Sequence, residues 1–220
     1  MAHIAAADSL SIYIHIPFCR SRCSYCAFNT YTGITALIPE YVEAVCSELR
    51  LYGAVLGNPP VHTIYFGGGT PSTLPVELVQ QILDTAHQCF HLDEQLEVSM
   101  EVNPTGFAEV DYLAEIYAAG VNRLSVGAQS AQRAELRLFN RQHSWADVDG
   151  TVKRARKSGF DSVSLDLIYG TPGQKLVAWR DTLNQALRLQ PDHISLYSLG
   201  IEPDTPMDDW ISTGKVAELS

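Results

Sequence analysis

Long apolar runs are missing from this sequence of 220 residues. None approaches the ~18 residues that a membrane-spanning helix needs. The opening MAHIAAADSL has neither a basic segment nor an apolar core, so it does not read as a secretory signal. Cations are scarce as well: Lys and Arg number 15 against 25 Asp and Glu, a net charge of −10. A nucleic-acid-binding domain usually shows a basic patch, and the densest basic run here is KRARK at 153–157. That run reads as the solvated face of a helix. Cysteines number five, and their spacing does not read as a disulfide framework. These absences predict a cytoplasmic protein with reduced thiols, no nucleic-acid partner and no membrane span. The length suits one large α/β domain or two small ones, with ample material for a core.

No segment is of low complexity; what fills the chain instead is alternation. Strand-like runs are LSIYIHI (10–16), TIYFGG (63–68), EVSMEVN (97–103), RLSVGAQ (123–129), SVSLDLIYG (162–170) and HISLYSL (193–199). Helical patterns lie between them, at roughly 39–56, 75–90, 108–119, 144–158 and 174–189. Such alternation predicts an α/β fold with a parallel sheet and helical crossovers. Six units predict a barrel or part of one. The strands themselves alternate: Val98, Met100 and Val102 oppose Ser99, Glu101 and Asn103, and Val163, Leu165 and Leu167 oppose Ser164 and Asp166. A parallel sheet packed on both faces would be apolar throughout. The polar face therefore predicts a cavity for a polar ligand; an open sheet with one solvated face is the other reading. Polar residues also gather at the carboxyl ends of the strands, the end that carries active sites in barrel enzymes.

Two cysteines, Cys46 and Cys89, stand alone in helical patterns and read as small buried apolar residues. The other three, Cys19, Cys23 and Cys26, form C-x3-C-x2-C just after the first strand. Structural zinc takes four ligands, usually as two separated pairs, and no second pair exists here. Iron–sulfur clusters are normally held by four thiolates. A cubane cluster on three thiolates leaves one iron open to an outside ligand.

With Tyr25 before its last cysteine, this spacing resembles the signature of the radical S-adenosylmethionine (SAM) enzymes. YIHIPFC (13–19), YFGGGTPS (65–72), EVNP (101–104), GAQS (127–130), NRQH (140–143) and DLIYGTPGQ (166–174) resemble one branch of that superfamily. The branch contains oxygen-independent coproporphyrinogen III dehydrogenase and the haem chaperone HemW, and the likeness runs from residue 10 to about 207. It implies a partial (β/α)6 barrel of the radical SAM type and a 4Fe–4S cluster on Cys19, Cys23 and Cys26. It also implies SAM chelating the open iron, and an electron donor. Tyr13, Tyr25, Gly68, Gly69, Thr70, Glu101, Gln129, Arg141 and Asp166 match positions that surround SAM in the family.

The resemblance further implies a tetrapyrrole partner. It is either haem, handed to recipient haem proteins, or coproporphyrinogen III, oxidatively decarboxylated. The dehydrogenase carries a further cysteine two residues after the third; here Phe28 stands there, as in the chaperone type. A cluster scaffold without turnover is a third reading. In the family a further segment follows the barrel, so residues 1–220 are expected to be the radical SAM core domain of a longer protein.

Several of these residues admit a plainer role. The glycines of GGGTP could form only a strand-to-helix turn, with Thr70 or Ser72 and Pro75 opening the next helix. Glu101 could sit in an ion pair. Tyr13, Tyr25 and Phe28 could be packed aromatics, and His15 a structural histidine rather than a ligand. Arg20 and Arg22 could offset thiolate charge or steer an anion, or be loop cations of no measurable effect.

Overall fold

Residues 9–104 and 112–217 are described by a computed structural model. Six strands form one sheet: β1 (Leu10–Ile16), β4 (Pro60–Gly68), β5 (His91–Val102), β6 (Arg123–Gln129), β7 (Ser162–Tyr169) and β8 (His193–Ser198). Every pairing is parallel, and the spatial order follows the chain order. The sheet begins at β1 and ends at β8, and the two are not paired with each other. The expected partial barrel is therefore an arc with one open side. A separate parallel pair, β2 (Phe18–Cys19) and β3 (Tyr31–Thr32), brackets the cysteine loop.

Helices α1 (Ile38–Leu56), α2 (Val76–Cys89), α3 (Tyr112–Ala118), α5 (Trp145–Lys157) and α6 (Leu176–Arg188) make the crossovers. Their bounds fall within two residues of those expected, apart from α3, whose expected residues 108–111 lie outside the described residues. At the start of α5, the Ser144 backbone N–H and hydroxyl both donate to Asp147 Oδ2 at 2.7 Å. That capping box satisfies donors the first turn leaves without helical partners. Two short helices, α4 (Arg133–Leu138) and α7 (Pro206–Ser212), were not legible as separate elements. Strand β5 starts six residues earlier than read, because its acidic first half pairs with Pro60 and Val61 across a register shift.

The apolar strand faces do what their period predicts. Ile14, Ile64, Phe66, Val98, Met100, Leu124, Val126 and Leu165 are buried against Val42, Val79, Ile82, Val148 and Val152 of the outer helices. Each such side chain contributes about 1.5–3 kcal/mol on burial. Cys46 is fully buried and Cys89 packs on the same cluster, so both are structural. A second, smaller core holds Phe139, Ile168, Leu199 and Met207, with Tyr25 and Trp210 packed on it. The KRARK run is less solvated than expected. Lys153 pairs with Asp149 along α5, but Arg156 reaches across to Asp192 at 2.7 Å and to the carbonyls of Phe160 and Gln190.

Candidate cofactor site at the carboxyl ends of the strands

The polar strand faces and the cysteine loop close around a cavity of about 1010 Å³. Glu101 comes from β5, Ser125, Gly127 and Gln129 from β6, and Asp166 from β7. Cys19, Cys23 and Cys26 line the same cavity, and all three are free thiols. This volume lies at the upper end of small-molecule sites.

The cysteine loop is held from several sides. Ser24 donates its hydroxyl to Leu138 O at 2.5 Å and its N–H to Phe139 O at 3.2 Å, at the end of α4. Met207, at the start of α7, donates its N–H to Ser24 O at 2.9 Å. Asn140 Nδ2 donates to Arg22 O, and the Arg22 guanidinium donates to Cys26 O through two nitrogens. His15 Nε2 donates to Asn29 O at 2.9 Å, so this histidine is a structural tie. Tyr25 packs edge-on against Phe139.

The glycine turn is laced to the same loop. Gly69 N–H donates to Ile16 O and Thr70 N–H to Phe18 O, at 2.8 and 2.9 Å. A Cβ on Gly69 would lie 2.9 Å from those two carbonyl oxygens, and one on Gly68 would lie 2.6 Å from the His15 ring. Gly68 also has φ 112°, which side-chain-bearing residues rarely adopt. The turn is thus both a tight crossing and the entry to α2 through a short 3-10 turn at Pro71–Thr73. Thr70 Oγ1 donates toward Cys19 Sγ at 3.5 Å.

Charge in the cavity is unusual for an acidic protein. Arg141 is half-buried and donates from one terminal nitrogen to Tyr25 OH at 3.2 Å, while its buried Nε has no partner among the described residues. Burial alone would lower its pKa, but Tyr25, Cys23 and Cys19 outweigh that and hold it above its ordinary value. Burial pushes Cys23 up, against the pull of Arg141, and pushes Tyr25 up to about 12. Glu101 accepts from Tyr65 OH at 2.8 Å and from Gly68 N–H at 3.2 Å. Its pKa is raised, first by burial and then by the charge of Asp166. Glu101 belongs to none of the ion pairs among the described residues. Asp166 is also raised by burial. Its Oδ2 accepts from Ser125 Oγ at 2.8 Å; its Oδ1 has no donor in hydrogen-bonding geometry, although Ser195 and His193 stand close enough to favour its charge.

Among the described residues no three His, Cys, Asp or Glu are grouped around a single-ion position. A cubane spreads its thiolates over different irons, so three cysteines on one loop suit it better than a mononuclear zinc site. Arg141 and Asp166 both line this cavity, and each also keeps one buried polar atom without a hydrogen-bond partner among the described residues.

Of the residues singled out in the sequence, Cys19, Cys23, Cys26, Tyr25, Gly68, Gly69, Thr70, Glu101, Gln129, Arg141 and Asp166 all line this cavity. Tyr13 does not: it is 58% exposed and stacks on Tyr65, with ring centroids 6.0 Å apart. Two residues went unread: Tyr65, which orients Glu101, and Ser125, which holds Asp166. Both lie on polar strand faces, and that alternation was the signal available.

The family model of the radical SAM superfamily matches residues 13–186. The chain belongs to the radical SAM superfamily. That membership implies a 4Fe–4S cluster and SAM. This radical SAM chain is 41% identical over 211 residues to the haem chaperone HemW of Synechocystis, covering 93% of this chain and 50% of that protein. It is 38% identical over 207 residues to HemW of Bacillus subtilis, covering 94% and 54%. In three dimensions it is similar to coproporphyrinogen III oxidase (HemN) of Escherichia coli, a radical SAM enzyme. The TM-score is 0.86 at 28% identity, covering 98% of this chain and 50% of that one. The chain thus spans about half the length of the curated relatives it matches. No helix among the described residues is long and apolar enough to cross a membrane.

Proposed function

We propose that this chain is the radical SAM core of a haem chaperone. In this reading Cys19, Cys23 and Cys26 hold a 4Fe–4S cluster, SAM fills the adjoining cavity, and a tetrapyrrole docks at its mouth. One observation carries the cofactor reading: three free thiols on one pinned loop share a cavity with the half-buried guanidinium of Arg141. The similarity to HemW supports the haem reading. The chemistry such a cluster supplies is one-electron reduction of SAM.

Each residue has a role in this reading. Arg141 offsets the charge of the thiolates. Thr70 donates toward the Cys19 sulfur, and hydrogen bonds to cluster sulfurs tune the potential. The Gly68–Gly69 backbone accommodates the methionine end of SAM, where side chains would collide. Glu101, oriented by Tyr65, accepts from the ribose hydroxyls. Tyr25, Gln129 and Asp166 complete the wall, and Tyr13 acts only by buttressing Tyr65. The partners are an electron donor and recipient haem proteins, in the cytoplasm.

A second reading, oxidative decarboxylation of coproporphyrinogen III, is favoured by the likeness to HemN. Phe28, standing where the dehydrogenase has a further cysteine, favours the chaperone.

The test is anaerobic reconstitution with iron and sulfide, followed by electron paramagnetic resonance of the reduced protein with and without SAM. A cluster signal that changes shape with SAM is expected, and its loss in Cys19→Ala, Cys23→Ala and Cys26→Ala. Unchanged iron content in all three variants, or a signal indifferent to SAM, would overturn the cofactor assignment. Haem uptake without conversion of coproporphyrinogen III supports the chaperone; conversion supports the dehydrogenase.

A further inference from the structure

The cavity mouth carries an exposed aromatic that the cofactor reading does not use. Phe28 is 69% exposed although it sits on the well-pinned cysteine loop and lines the cavity. Leaving a phenyl ring in water forgoes most of its burial energy, and a ring that merely shielded the loop would be covered. Two residues of the same loop supply charge. Arg20 is exposed, lines the cavity, and makes no hydrogen bond or ion pair among the described residues. Arg22 lines it too, with its guanidinium turned onto Cys26 O. The carboxylates of the wall come from other elements: Glu101 from β5, Asp166 from β7, and Glu202 after β8. In a chain of net charge −10, this loop presents an apolar ring and an unpaired cation to the same cavity.

We propose that Phe28 and Arg20 form the docking wall for a tetrapyrrole carrying propionates. The phenyl ring stacks against the macrocycle, and the Arg20 guanidinium pairs with one propionate. An aromatic face suits a flat conjugated ring in offset contact. A guanidinium fork suits a carboxylate. Arg20 is unpaired, so little has to be broken for it to turn to the ligand. The inference rests on the tetrapyrrole part of the reading above and names where that ligand sits. The bound macrocycle covers the one large apolar side chain that the loop leaves exposed beside the thiolates.

The test uses the reconstituted chain, titrated anaerobically with haemin and with haemin dimethyl ester, which lacks the propionate charges. Wild type, Phe28→Ala, Phe28→Leu and Arg20→Gln are compared by Soret absorbance, with iron and sulfide content measured for each. Phe28→Ala is expected to weaken both ligands about tenfold, on the order of one aromatic contact plus its buried area. Phe28→Leu, which keeps apolar bulk, falls between it and wild type. Arg20→Gln is expected to weaken haemin about five- to tenfold and to leave the diester unchanged. Wild-type affinity for haemin in both Phe28→Ala and Arg20→Gln overturns this docking wall and leaves the broader reading standing. A wild-type chain that binds no haemin overturns this wall together with haem binding by this core.

Discussion

Tyr65 on β4 donates its phenolic hydrogen to Glu101 Oε1 on β5, across 2.8 Å. Burial and the nearby Glu101 charge hold the phenol far above its ordinary pKa, so it stays a donor at every working pH. One carboxylate oxygen is thereby fixed from inside the sheet, while the Gly68 N–H donates to the other. In Tyr65→Phe this restraint is gone and Glu101 is held by the Gly68 N–H alone. SAM affinity should fall about five- to tenfold, the net worth of one ordinary hydrogen bond. Equilibrium binding on protein of unchanged iron content measures it.

Asp166 and Glu101 are both held above the usual carboxylate range, chiefly by burial. A carboxylate whose folded pKa is raised opposes folding at neutral pH, and that cost fades as pH falls. Asp166→Asn removes the charge while an oxygen remains to accept from Ser125. The variant should melt higher, by about 2–4 °C for each kcal/mol relieved, and bind SAM less well. Thermal melts at pH 7.5 read the first effect and SAM titrations the second. A lower melting temperature would show that Asp166 contributes more through its hydrogen bonds than burial costs.

His143 has the opposite sign. Its Nε2 donates to Ala128 O at 3.1 Å and its Nδ1 is buried without a partner. Burial drives its pKa from the ordinary 6.5 down to about 4, and the neighbouring Arg141 charge adds to that. A group depressed in the folded state contributes stability that is complete above pH 6.5 and is lost as pH falls toward 4. The loss should reach roughly 3 kcal/mol at the acid end. Urea unfolding at pH 7.5, 6 and 5 should show it, and His143→Gln, which keeps a donor for Ala128, should flatten the dependence.

Met207 lies far from the cysteines in sequence and beneath them in space. Its side chain is fully buried in the smaller core with Phe139 and Leu199. Met207→Ala should cost about 2–5 kcal/mol and loosen the loop through Ser24. Reconstituted iron per chain should drop below wild type even though every thiol is present. Full iron retention would show that the loop keeps its shape without this support.

The parts of the fold legible in sequence were those written in side-chain period. Val98, Met100 and Val102 against Ser99 and Glu101 announce both the sheet and the side of it that faces the cavity. The cysteines are legible from spacing alone. The loop's support was not, because Leu138, Phe139 and Met207 hold Ser24 through main-chain groups, which leave no mark on residue type. Tyr65 and Glu101 are 36 residues apart, and only strand register brings them together. Helices α4 and α7, at six and seven residues, are too short to show a helical period. The first half of β5 was hidden by its charges, Asp93, which pairs with His62 of β4, and the exposed Glu94, neither of which breaks the strand.

The anchoring of Ser24 to Met207 also sets a timetable. A ribosome finishes Cys26 181 residues before it reaches Met207. At about 5–20 residues per second, the last thiol waits some ten to forty seconds for the surface that shapes its loop. During that interval the three thiols sit on a nascent chain without the main-chain ties that pin their loop in the finished fold. On the proposed cofactor reading, iron loading therefore follows synthesis of the barrel, and a delivery system that acts on the finished fold would meet the loop only in its final shape.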